Sequence, residues 1–278
     1  MDFEFRSQIE DESVDGLHSN TLLFILGLLA LFILPSLGFI ILTVLMPNTD
    51  IELLNYLGYF LGYGAYIAIL FKYLGKNRVK KIIKGFNFKN FITAAVFAVI
   101  LYLASIVTSN IVTLIFGEVG SNANQDSLNE SMFKYPLIVA VFSVVFAPIV
   151  EELVFRFTLF KSVAKKNKIL AYILSIFTFA GIHFISSLSV LLINLNEPTV
   201  LNEVAYQVFY NDLKTLPIYI VAAIVLTISY DINKNIATNI MVHAFYNLSQ
   251  VIIMLLFMFI VNNNPESLSY ISNILWFI

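Results

Sequence analysis

Of 278 residues, 59% are apolar and only 12% charged, and the mean hydropathy is +0.85. A soluble domain carries about 25% charged residues, so this composition excludes an ordinary water-soluble globule and points to a polytopic membrane protein. The net charge of -2 points to no particular partner, and the absence of cysteine excludes disulfides, thiolate metal sites and a cysteine nucleophile.

The chain opens on an acidic, polar stretch, residues 1–20, in which Asp2, Glu4, Glu10, Asp11, Glu12 and Asp15 face a single Arg6. A cleaved signal would begin basic and carry a short apolar core. Here Thr21–Met46 is long enough to span a bilayer, so residues 1–20 read as a cytoplasmic tail ahead of one integral-membrane domain, 21–278. A spanning helix needs about 20 apolar residues. The expected spans are Thr21–Met46, Leu53–Tyr73, Phe91–Phe116, Tyr135–Phe160, Ile169–Leu195, a short Leu216–Tyr230 and Ile236–Val261. The terminal LSYISNILWFI is an eighth span or an interfacial segment. The expected fold is therefore all-α, a polytopic membrane helix bundle of seven to eight transmembrane helices with an intramembrane active-site cavity.

Lys and Arg placement sets the orientation. Thirteen of the 16 basic residues fall in the N-terminal tail or on the connections near residues 72–89, 161–168 and 234. Those connections and the N-terminus are expected in the cytoplasm, with the chain in the cell membrane. The basic KNRVKKIIKGFNFKN reads as a topogenic loop lying on anionic headgroups, not as a nucleic-acid site. The outer connections, Gly117–Phe133 and Asn196–Thr215, read as surface loops or partial lids. No internal repeat or low-complexity tract appears.

The informative residues are ionisable groups inside spans. FAPIVEELVFRF places Glu151, Glu152 and Arg156 in the fourth span, and His183 and His243 lie in the fifth and seventh. A charge at the bilayer centre costs roughly 2.5–3.5 kcal/mol on insertion scales and marks a functional candidate. Glu152 and Arg156 are four apart, acid first, the favourable order for a pair on one helix face. Glu151 points about 100° away and has no partner on its own helix. Pro148 cannot donate to the preceding turn, which frees a carbonyl near Ser143–Val144 and favours a kink beside Glu151. His243 and Asn247 share a face of the seventh span. Counted from the nearest basic residue, Glu151 lies ten residues deep, His243 nine and His183 fifteen. At about 1.5 Å per residue these depths overlap once tilt is allowed. Each residue alone has a structural explanation; a free Glu, two His and an Asn at one depth point to a site.

Two chemistries fit. Glu151, His183 and His243 are a sufficient ligand set for a catalytic zinc with water in the fourth position. Alternatively, Glu151 deprotonates water without a metal while His243 and Asn247 stabilise an oxyanion. Both give amide hydrolysis. HExxH, GxSxG, GxGD and Walker A motifs are absent, which removes zincins, serine and aspartyl intramembrane proteases and ATPases.

EELVFR matches EExxxR, FAGIH matches FxxxH and HAFYN matches HxxxN. In this order, on successive membrane helices, they resemble the CPBP family of intramembrane proteases (CAAX proteases and bacteriocin-processing enzymes, also called Abi proteins). The resemblance covers Pro136–Asn247, with a CPBP-like core over 135–261. It implies a conical membrane fold and cleavage of a peptide bond in a membrane-associated protein or peptide. Carried over by position, Glu151 activates water, Glu152 and Arg156 support it, His183 completes the water or metal site, and His243 with Asn247 stabilises the oxyanion. A non-catalytic immunity or scaffold protein of the same family is the alternative. A proton-coupled transporter stands further off, since no repeat is seen.

Overall fold

The computed structural model describes residues 17–117, 123–194 and 199–263, and these are helical almost throughout. The acidic residues of the tail up to Asp15, Arg6 and the candidate eighth span lie outside the described residues. The helices are α1 (Leu17–Leu45), α2 (Ile51–Lys84), α3 (Phe88–Phe116), α4 (Ala123–Lys134), α5 (Pro136–Ala164), α6 (Lys168–Ile182), α7 (Ile185–Asn194), α8 (Thr199–Asn233) and α9 (Ile236–Asn263). Side chains such as Leu114, Phe88 and Leu137 point outward at 87%, 79% and 76% exposure. So much outward apolar surface is stable only against hydrocarbon.

Short polar joints separate the long helices, and side-chain caps start them. Asp50 Oδ1 accepts from the backbone N–H groups of Glu52 and Leu53 ahead of α2. Asn87, Asn167 and Asn235 do the same for α3, α6 and α9. Each cap satisfies donors that a helix start leaves open. Inside α2, Gly75 sits at φ 78°, ψ 162°, a conformation favoured by glycine. It breaks α2 and separates the basic segment Lys76–Lys84 from the apolar span.

Six helices are individually long and apolar enough to cross a membrane: α1, α2, α3, α5, α8 and α9. The seventh candidate is the pair α6 and α7, bent by 57°. Lys168 at the start of α6 bonds Asp231 near the end of α8 at 2.7 Å, and the Tyr172 hydroxyl donates to the same carboxylate at 2.8 Å. The start of α6 and the end of α8 therefore share one face. Because α8 itself is long enough to cross, and α7 packs along it, α6 and α7 together make one broken crossing. Two expectations change. The sixth span is not short but part of a 35-residue helix. The two outer connections are not simple loops, since Ala123–Lys134 is helical and residues 199–215 begin α8. Among the described residues the crossings number seven.

The opposite face is tied by Lys134, which reaches Asp50 at 2.6 Å and Glu52 at 3.4 Å. The hydrogen bond from Lys134 holds the Asp50 carboxyl down at about 2. A depressed acid contributes stability above its unfolded value near 3.8 and loses it as pH falls toward 2. Acidification across that window should lower thermal stability in wild type, and Lys134→Gln should flatten the dependence. Both are read from melting curves in detergent. The pair is exposed, so the effect is small.

α1 and α2 pack with backbones in contact. A Cβ on Gly62 would lie 2.7 Å from Pro35 N and 2.8 Å from Pro35 Cδ, and one on Gly58 would lie 2.6 Å from Pro35 O. Gly64 has open space. Small residues permit such approaches in membranes. Gly62→Ala is expected to cost about 1–3 kcal/mol through overpacking, measured by chemical unfolding in mixed micelles, while Gly64→Ala stays near neutral.

Candidate active site

α5 is wound unevenly around the glutamates. Residues Phe142–Phe146 and Leu153–Phe160 are π-helical, and Ala147–Glu152 between them is α-helical. Pro148 has no N–H for the carbonyl five residues back, Ser143, and Asn247 Nδ2 on α9 donates to that oxygen at 2.8 Å. The freed carbonyl is thus answered from another helix, and the irregularity takes the form of wide turns.

Glu152 and Arg156 form the ion pair expected from their spacing, Nη1 to Oε1 at 3.0 Å, both 0% exposed. Glu152 has two further donors. His243 Nδ1 stands 3.0 Å from Oε1, and Asn239 Nδ2 donates to Oε2 at 2.5 Å. A carboxylate only accepts, so the proton between Glu152 and His243 belongs to Nδ1. That leaves His243 Nε2 directed at Glu151, whose carboxylate lies 3.9 Å away. Arg156 Nη2 also donates to the Ala223 carbonyl of α8 at 3.2 Å.

Phe179 joins the third helix to this cluster. Its ring lies under the Arg156 guanidinium at 4.4 Å and packs against His183 at 5.2 Å and His243 at 5.8 Å, centroid to centroid. His183 stands at the break between α6 and α7. Its Nδ1 donates to the Phe179 carbonyl at 3.0 Å, and its ring stacks on Tyr219 of α8 at 4.2 Å. The neutral ring therefore presents Nε2 as an acceptor. Burial separates the groups: Glu152, Arg156 and Asn239 are completely sealed, whereas Glu151, His183 and Asn247 are partly exposed.

All six expected residues lie on α5, α9 and the α6–α7 break. Glu152 contacts both Arg156 and His243, Glu151 lies 3.9 Å from His243, Asn247 holds Ser143, and His183 is linked through Phe179. Asn239 was not anticipated, although it lies one turn before His243 and four-residue spacing would have found it. As to zinc, among the described residues no three His, Asp or Glu side chains stand close enough to share an ion. Glu151, His183 and His243 do not form a ligand set in this arrangement, with His243 Nδ1 held by Glu152 and His183 packed on Tyr219.

Residues 133–249, which contain every one of these side chains, match the model of the family described as type II CAAX prenyl endopeptidase Rce1-like. Among curated proteins, UPF0177 protein YvdC of Lactococcus lactis subsp. lactis (strain IL1403) is 30% identical over 156 residues, 56% of this chain and 50% of that protein. The chain spans about half the length of this relative. No solved structure matches. The matched segment takes in α5 to the middle of α9, while α1, α2 and α3 fall outside it and supply packing around it.

Proposed function

We propose that this chain is an intramembrane endopeptidase that hydrolyses a peptide bond in a membrane-associated protein or peptide. The observation that carries the reading is the division between a sealed supporting layer and a reachable one within a single cluster. Stability alone gives no reason to leave Glu151 unpaired with a cation on its own helix while Glu152 receives three donors.

In the proposed reaction Glu151 takes a proton from a water held by His183 Nε2, and the resulting hydroxide attacks the scissile carbonyl carbon. The carbonyl oxygen becomes an oxyanion. His243, its Nδ1–H fixed on Glu152, donates Nε2–H to it when both ring nitrogens carry protons, and the second N–H of Asn247 adds another donor. Protonated Glu151 then passes its proton to the departing nitrogen as the carbon–nitrogen bond breaks. Glu152 and Arg156 act as supports, fixing His243 and each other.

The Rce1-like match supports a CAAX-type substrate, a peptide bond near the lipid-anchored end of a protein. An unprenylated membrane peptide, such as a pheromone or bacteriocin leader, presents the same bond at the same depth. By the positive-inside rule the basic connections support a cytoplasmic C-terminal end of α5, and with it a site in the cytoplasmic half of the membrane. Comparative peptidomics of membranes carrying wild type or Glu151→Gln tests the proposal. Cleavage products present only with wild type are expected, and identical peptide sets would overturn it.

A further inference from the structure

We infer that Asn239 is a positioning residue that keeps Glu152 turned toward His243 and thereby fixes which His243 nitrogen faces the reacting groups. The inference rests on the peptidase reading for its kinetic consequence but on geometry alone for its structural one. Three donors share the Glu152 carboxylate: Arg156 Nη1 and His243 Nδ1 on Oε1, and Asn239 Nδ2 on Oε2. All three residues around Glu152 are buried, and Asn239 and Arg156 are at 0% exposure.

Arg156 is the competitor. A guanidinium prefers to meet a carboxylate with two parallel N–H groups. Here it gives Glu152 only Nη1, spends Nη2 on the Ala223 carbonyl, and leaves Nε buried without a partner. The terminal torsion of a glutamate is broad, so little but its hydrogen bonds holds the carboxylate plane. Without the Asn239 amide, Oε2 is free to swing toward Nε and close a two-pronged pair with Arg156. His243 Nδ1 would then lose its acceptor, and the neutral ring would no longer be confined to the Nδ1–H form. In the Nε2–H form Nδ1 no longer donates to Glu152, so the ring loses the anchor that holds Nε2 toward Glu151.

The chain has three histidines, His18, His183 and His243, so nitrogen-15 labelling of histidine gives a readable spectrum. Two variants are used: Asn239→Ala, and Asn239→Leu, which fills the space without a donor. In wild type under mildly alkaline conditions His243 should show a protonated Nδ1. In both variants an Nε2–H population should appear. The kcat for the cleaved peptide should fall roughly 10–100-fold, the range typical of groups that orient a working histidine, with KM held within about two-fold. An unchanged His243 pattern in a folded variant would overturn the inference, even if kcat fell, because a merely structural loss would do that. The spectrum decides the matter even if wild type proves to cleave nothing, so failure of the peptidase reading is distinguishable from failure of this one.

Discussion

Replacing Glu151 by glutamine should reduce peptide cleavage by about 10²–10⁴-fold, the contribution of a positioned general base, while leaving insertion and folding intact. Glutamine keeps the shape but cannot take a proton from water. Glu151 is the member of the cluster whose carboxylate no cation of its own helix neutralises, and its side chain is 13% exposed. The loss should fall on kcat with little change in KM, because the carboxylate acts on the water and not on the bound peptide. The check is single-turnover cleavage in proteoliposomes. An immunity or scaffold protein would keep its biological effect in the variant, and a proton-coupled transporter would lose flux with no product seen in either form. Full activity in Glu151→Gln would sink the proposed mechanism.

Arg156→Met should be the most destabilising single change in the cluster, at about 3–5 kcal/mol, because it leaves a buried carboxylate without its cation. Methionine fills much of the arginine volume, so the cost is mainly electrostatic. Asn239 and His243 remain as donors to Glu152, but the guanidinium contacts to Ala223 and to the Phe179 ring disappear. Pairing this change with Glu152→Gln removes the stranded charge, and the double variant should recover a large part of the loss. Denaturant titration in mixed micelles of the two single variants and the double variant closes a mutant cycle for the pair. A loss below about 1 kcal/mol in Arg156→Met would mean that the two side chains are not coupled as their 3.0 Å separation requires.

Much of this was legible from spacing within a helix. Glu152 with Arg156, and His243 with Asn247, follow from four-residue intervals, as does the carbonyl that Pro148 frees. What escaped were contacts between helices. Glu152 meets His243 across 91 residues of sequence and Asn239 across 87, and no periodicity within α5 can name a partner on α9. Asn239 belongs to no motif and its partner lies on another helix. The polar stretches 123–134 and 199–215 depart from expectation for a different reason: a polar helix lacks the continuous apolar run that marks a span, so its composition resembles that of a loop. The bend at His183 shows in no residue pattern, since neither Gly181 nor the neighbours that follow it demand a break.

Because Glu152 and Arg156 belong to one helix turn, they are made almost together as the chain is synthesised. The pair neutralises itself while α9 is still unmade, so the bilayer receives α5 with one net charge in place of three. The supports arrive much later, once Asn239 and His243 emerge. Until then Glu152 has no histidine to orient and Glu151 no imidazole beside it. On the proposed chemistry, the nascent protein is inert toward neighbouring membrane peptides throughout its insertion, and becomes competent only when its last described helix docks.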